Sequence, residues 1–237
     1  MTKKTAALTQ LLQFDSALLA SFRGNAKKNG QNPQSPVLIG VDEVGRGSIV
    51  SDVFACAVCL PAGLSSEAER QLQALNDSKL VSEKQRMVLA SVIAKNSWFA
   101  LGTASQHEVD RLNIHHASLL ALSRAVRNLC NTYLLNAQTV FIAVDGCYVL
   151  PGFQQDRQMP VIKGDRKSAC IAAASIVAKV RRDAWITALS EIYPVYEWHN
   201  NKGYPTPKHL AMISAHGPSP LHRQRAVQNY LSKVSAR

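Results

Sequence analysis

Val37-Leu38-Ile39-Gly40-Val41-Asp42-Glu43-Val44-Gly45-Arg46-Gly47 opens with an aliphatic run and ends in charge. Four of the first five residues are aliphatic, which predicts a strand buried on both faces. Two adjacent carboxylates then end the run, and a turn follows with two glycines around an arginine. An unpaired charge at a core margin is costly, so packing does not account for Asp42-Glu43. One reading is a solvated strand end leading into a turn. The other is a carboxylate pair that holds metal at the end of a central strand.

A second run supports the metal reading. Thr139-Val140-Phe141-Ile142-Ala143-Val144-Asp145-Gly146 is again β-branched and apolar and again stops at an Asp. A long helix is predicted before it, from about 115 to 135. That order is consistent with a crossover and parallel pairing to the first strand. As neighbours, Asp42 and Asp145 emerge side by side at the carboxyl ends, where open α/β sheets place ligands. Val161-Ile162-Lys163-Gly164-Asp165 is predicted as a short strand with a third terminal Asp, and a helix from Arg166 to about Leu189 follows. Asp165 is either a further member of the acidic group or the N-cap of that helix.

Converging carboxylates repel one another, and hard divalent cations relieve this; oxygen donors suit Mg2+ or Mn2+. Two such ions about 3.5–4 Å apart are a known device for in-line phosphodiester cleavage. The chain has 27 Lys and Arg against 16 Asp and Glu, a net charge of +11. That surplus favours a polyanionic partner, most simply nucleic acid.

The 237 residues suffice for one large domain. Residues 6–22 place Leu8, Leu11, Leu12, Leu18, Leu19 and Phe22 at roughly helical spacing, which predicts an amphipathic helix docked on the body. Residues 23–35 read as a polar linker. The expected division is therefore 1–35, helix and linker, and 36–237, the main domain with a helical C-terminal part. A strand over about 53–60 follows the first closely enough to pair antiparallel with it. Helices are predicted near 65–75 and 82–95, the latter opened by a Ser82…Gln85 capping box, and a strand over 97–105. Thr206-Pro207 reads as N-cap and first position of a late helix, ended at Gly217-Pro218.

Five cysteines leave one unpaired in any intramolecular pairing, as in a reducing compartment. Cys56 and Cys59 are three apart on a predicted strand, so they face opposite ways and make no zinc site. The histidines lack zinc spacing and are expected at surfaces or helix ends. No segment approaches a membrane span and no clean cleavage site follows the N-terminus, so a soluble, cytoplasmic protein is expected. Neither a phosphate-binding Gly-Lys-Ser/Thr loop nor a Gly-x-Ser-x-Gly elbow is present.

The acidic runs belong to a longer ordered set. Gly40 through Gly47, Asp77-Ser78-Lys79, Val144-Asp145-Gly146 and Lys163-Gly164-Asp165-Arg166-Lys167-Ser168 are followed by Ala172 through Asp183. Lys202-Gly203-Tyr204, His209-Leu210, Gly217-Pro218-Ser219-Pro220 and His222-Arg223 close it. In this order the pieces resemble the ribonuclease HII family over about residues 37–225. The resemblance implies a ribonuclease-H-like fold: a mixed sheet of about five strands flanked by helices. It implies a monomeric endonuclease of RNA–DNA hybrids and of single ribonucleotides embedded in duplex DNA. Its metal quartet maps onto Asp42, Glu43, Asp145 and Asp165. Its Gly-Arg-Gly motif, which reads the ribose 2′-hydroxyl and a phosphate, maps onto Gly45, Arg46 and Gly47. Its substrate-sensing tyrosine maps onto Tyr204, with Lys79 and Lys179 in supporting or phosphate-side roles. Asp183 fits a helix salt bridge as well as catalysis.

Three departures from the family pattern stand out: Ser48 through Asp52 after the Gly-Arg-Gly motif, Leu80 in place of a second lysine, and Pro205 after Tyr204. Another ribonuclease-H-like nuclease, resolvase-like, would share the acids but lack the Gly-Arg-Gly and Lys-Gly-Tyr elements. A non-catalytic hybrid-binding protein would gain nothing from four clustered acids.

Overall fold

The structure, a computed structural model, describes residues 3–28, 36–76, 78–79, 81–136 and 138–235. Its strands are β1 (Val37–Val44), β2 (Val53–Cys59), β3 (Trp98–Ala104), β4 (Val140–Asp145) and β5 (Gln158–Val161). Its helices are α1 (Lys3–Lys28), α2 (Ser66–Gln71), α3 (Glu83–Asn96), α4 (Gln106–Thr132), α5 (Ala169–Ile192), α6 (Trp198–Asn201), α7 (Pro207–His216) and α8 (Gln224–Ser235). The strands form one sheet in the order β3-β2-β1-β4-β5. The β1–β2 and β2–β3 pairs are antiparallel, and the β1–β4 and β4–β5 pairs are parallel.

Alternation along the strands divides the core. Leu38, Phe141 and Ala143 face α5, α3 and α1, whereas Ile39, Val41, Ile142 and Val144 face α4. Cys56 and Cys59 fall in opposite layers, as their spacing requires. Gly40 lets α5 lie directly on β1, because a Cβ there would stand 2.3 Å from the backbone of Cys170 and Ile171.

The polar stretch expected as linker is helical as far as Lys28; 29–35 lie outside the described residues. Leu8, Leu11, Leu18 and Phe22 of α1 are buried, and Phe22 stacks on Phe141 at 4.7 Å. Asp15 Oδ2 accepts from Cys170 N at 2.9 Å, so α1 satisfies an orphan amide at the start of α5. The long helix begins at Gln106, nine residues before the expected 115, and ends at Thr132. Its polar first turns lack apolar periodicity, but a full capping box, Ser105 with Glu108, opens it. The helix kinks at Asn113 (φ 69°), and His115 N donates to Asn113 Oδ1, restarting it where periodicity begins. Ser82 accepts from Gln85 N and caps α3.

A larger correction concerns the third acidic run. The strand ends at Val161, and Asp165 sits in a 3-10 turn, Gly164–Arg166, after a left-handed Lys163 (φ 56°). The N-cap of α5 is Ser168, whose side chain accepts from Ile171 N, so Asp165 does not cap the helix. Among the described residues no helix is long and apolar enough to cross a membrane.

Candidate active site

Val41 pairs with Val144 in the parallel β1–β4 register, so Asp42 and Asp145 are the next residues on neighbouring strands. Strand alternation turns both toward α5. Asp42 is 8% exposed, and the nearby Ser175 hydroxyl of α5 only partly offsets what burial does to its carboxyl. Ser175 Oγ also bonds Ser78 Oγ at 2.9 Å, which brings the exposed Lys79 turn alongside; Asp77 lies outside the described residues. Gly164 N donates to Asp145 Oδ1 at 2.7 Å and ties the Asp165 turn to β4.

Burial, and then the charges of Glu43 and Asp145, push the Asp42 carboxyl well above its usual range. Burial raises Glu43 as well, although Arg46 Nη1 donates to Glu43 Oε1 at 3.0 Å and opposes the shift. The donors are all oxygens, and Asp42, Glu43 and Asp145 feel one another electrostatically, so the set suits a hard divalent cation in kind. In side-chain placement the carboxylates are spread: Glu43 turns to Arg46 and Asp145 to Gly164 N. Among the described residues no three His, Cys, Asp or Glu side chains close around one point.

The Gly45-Arg46-Gly47 turn packs directly against Tyr204. A Cβ on Gly47 would lie 3.6 Å from Tyr204 Cε1. Gly45 has φ +93°, and a Cβ there would meet Arg182 Nε at 2.6 Å, so conformation and space both demand glycine. Behind the Tyr204 ring stand two cations of α5, Arg182 Cζ at 5.3 Å and Lys179 Nζ at 5.7 Å. Lys179 also donates to Asp183 Oδ1 at 3.0 Å, forming the i,i+4 salt bridge its spacing allows. Pro205 leaves the backbone bonds around the tyrosine in place: Tyr204 N donates to Asn201 O, and Thr206 N donates to Tyr204 O.

The residues that organise this region were not evident from the sequence. Arg223, 1% exposed, donates to the carbonyls of Gly45, Arg46, Ser48, Ser51 and Asp52. His209 and His222, expected at surfaces or helix ends, are buried and hydrogen-bonded to each other at 3.2 Å. Ser48, one of the departures after the glycine turn, donates to Gly203 O and Val50 O. The late motif pieces His209-Leu210 and His222-Arg223 were visible, but nothing local in them reveals partners so far away in the chain.

A mixed five-stranded sheet in this order, with acids at the ends of its two central parallel strands, defines the ribonuclease-H-like class. The profile of the family described as Ribonuclease HII matches residues 39–229. A ribonuclease HII of Bacteroides thetaiotaomicron is 44% identical over 188 residues, covering 78% of this chain and 86% of the relative. Among solved structures, Bst-RNase HIII in complex with Mn2+ superposes with a TM-score of 0.67 at 16% identity, over 86% of this chain and 72% of that one. Ribonuclease H2 from Pyrococcus horikoshii OT3 gives 0.62 at 21% identity, over 85% of this chain and all of the other. The chain belongs to the ribonuclease HII family, and it is an endoribonuclease.

Proposed function

We propose that the enzyme hydrolyses the RNA strand of RNA–DNA hybrids and cuts 5′ of a single ribonucleotide embedded in duplex DNA, leaving a 3′-hydroxyl and a 5′-phosphate. One observation carries this reading: the Tyr204 ring rests on Gly47, in the turn that directly follows the Asp42-Glu43 acids. RNA differs from DNA at each sugar by a 2′-hydroxyl that both donates and accepts. The backbone of Gly45-Arg46-Gly47 and the Tyr204 ring flank the place where that sugar would lie. Arg46 is exposed beside Glu43 and within reach of a neighbouring phosphate. Lys79 and the surplus of basic side chains would follow the nucleic-acid backbone, while Lys179 supports the tyrosine.

Asp42, Glu43, Asp145 and Asp165 would hold Mg2+ or Mn2+, two ions in our reading. Such ions, when bound, supply an activated water and stabilise the leaving oxygen. The working unit in this proposal is the monomer. The test is a duplex DNA with one ribonucleotide, labelled on that strand, incubated with and without Mg2+ or Mn2+. A cut on the 5′ side with the stated ends, only with metal, is expected. Cleavage of a long hybrid with none at the lone ribonucleotide would overturn the substrate reading. Turnover in chelator would overturn the acidic quartet.

A further inference from the structure

Two adjacent residues, His222 and Arg223, reach both elements that flank the proposed sugar position. Arg223 spreads its guanidinium over five carbonyls of the loop: Nε to Ser51 O at 2.8 Å, Nη1 to Gly45, Arg46 and Ser48 O at 2.8, 3.3 and 2.6 Å, and Nη2 to Asp52 O at 3.0 Å. Its backbone N donates to Ile49 O as well. Burial lowers the guanidinium to about 10, which still leaves it charged at neutral pH. With its carbonyls gathered inward by a buried cation, the loop has one backbone course.

His222 reaches the tyrosine through His209. Ser219 N donates to His222 Nδ1 at 2.8 Å, so that nitrogen is bare and Nε2 carries the proton. His222 Nε2 then donates to His209 Nε2 at 3.2 Å, which also accepts from Trp198 Nε1 at 3.0 Å. His209 Nδ1 therefore carries the proton and donates to Tyr204 O at 2.8 Å. Partners fix both tautomers, and the chain of bonds ends on the backbone of the proposed sensing residue.

We infer that His222 and Arg223, with His209, are a positioning unit that sets the gap between the Gly45-Arg46-Gly47 loop and the Tyr204 ring, and through it the preference for a lone ribonucleotide. This inference rests on the proposed reading of that loop and ring. On a long hybrid every sugar offers a 2′-hydroxyl, so a displaced loop still finds one. At a single ribonucleotide only one register is productive, so a displacement there is felt in full.

The test compares kcat/KM at a single embedded ribonucleotide with kcat/KM on a long hybrid, at equal salt, for proteins shown to be folded by circular dichroism and melting. Misplacement of about 1 Å can cost about 100-fold, so Arg223→Lys, which keeps charge but not the fork, should lower the single-to-long ratio roughly tenfold or more. His209→Ala should lower it too, and His209→Asn, which keeps a donor at the δ position, should restore most of it. Should Arg223→Lys not fold, the His209 pair decides. Equal losses on both substrates, or an unchanged ratio, would overturn the positioning unit. Tyr204→Ala is run in parallel. If it leaves the ratio unchanged, the reading of the loop and ring is itself wrong and the unit falls with it. If Tyr204→Ala lowers the ratio and the positioning variants do not, only the unit is wrong.

Discussion

Asp42 combines burial with two like charges nearby, so its ionised form is costly to the fold. Asp42→Asn removes that charge while keeping the shape. It should abolish cleavage and leave hybrid binding largely intact, because basic side chains rather than the acids hold the backbone. In chelator it should also raise the melting temperature, because the buried carboxylate and its like-charged neighbours no longer oppose the fold. Asp145→Asn should abolish cleavage too. Turnover assays in Mg2+ and melting curves check both claims; near-normal cleavage by either variant removes it from the site, and a lower melting temperature for Asp42→Asn refutes the electrostatic cost. The acids were legible because an apolar β-branched run has no packing reason to end in Asp. Arg223, His209 and Ser175 were not, because their meaning lies in partners more than 90 residues away or, for His209, in a buried bond network.

At the scale of elements, α5 separates two roles that the sequence left merged. Ser168 caps the helix, and Asp165 lies in the preceding turn. Ser168→Ala should therefore cost about 1 kcal/mol of stability. Asp165→Ser should leave that cap in place and lose most of the activity. Denaturant unfolding beside a cleavage assay decides it; wild-type activity in Asp165→Ser would leave three acidic ligands. The four strands that alternate or run apolar were readable, with β1–β4 pairing following from the crossover between them. The fifth was misplaced because Val161-Ile162 looks like a strand start, whereas Val161 is the last residue of a short edge strand opened by Gln158 and Ile162 lies in the turn beyond it. That side chain bonds Leu150 N and O, so the strand is fixed by a loop contact rather than by apolar pattern. Likewise the first turns of α4 are polar, and only the Ser105…Glu108 spacing announced them.

For the molecule as a whole, the net charge of +11 makes a claim of its own. Hybrid affinity should fall steeply as salt rises, because each Lys or Arg contact releases counterions. A flat response in a binding titration would mean that the basic surplus is not the binding surface. Acid should act through the buried histidines. Burial lowers His209 and takes His222 to about 4, below its ordinary 6.5. Between about 4 and 6.5 the unfolded chain binds protons that the folded His222 refuses, so this contribution is complete above 6.5 and fades as pH falls. The raised carboxyls of Asp42 and Glu43 act in the opposite direction, so the comparison is with His222→Asn. The stability advantage of the wild type over that variant should shrink from pH 7 toward pH 4; a constant gap would show that the imidazole is not refusing the proton. The bond from Arg223 to Gly45 also spans 178 residues. At about 5–20 residues per second, a ribosome adds that length in roughly 9–36 s, during which the loop lacks the guanidinium that gathers its carbonyls. The acids of the central strands are thus synthesised long before the element that would teach them which sugar to cut, and a chain stalled short of its last few turns would carry the blade without the gauge.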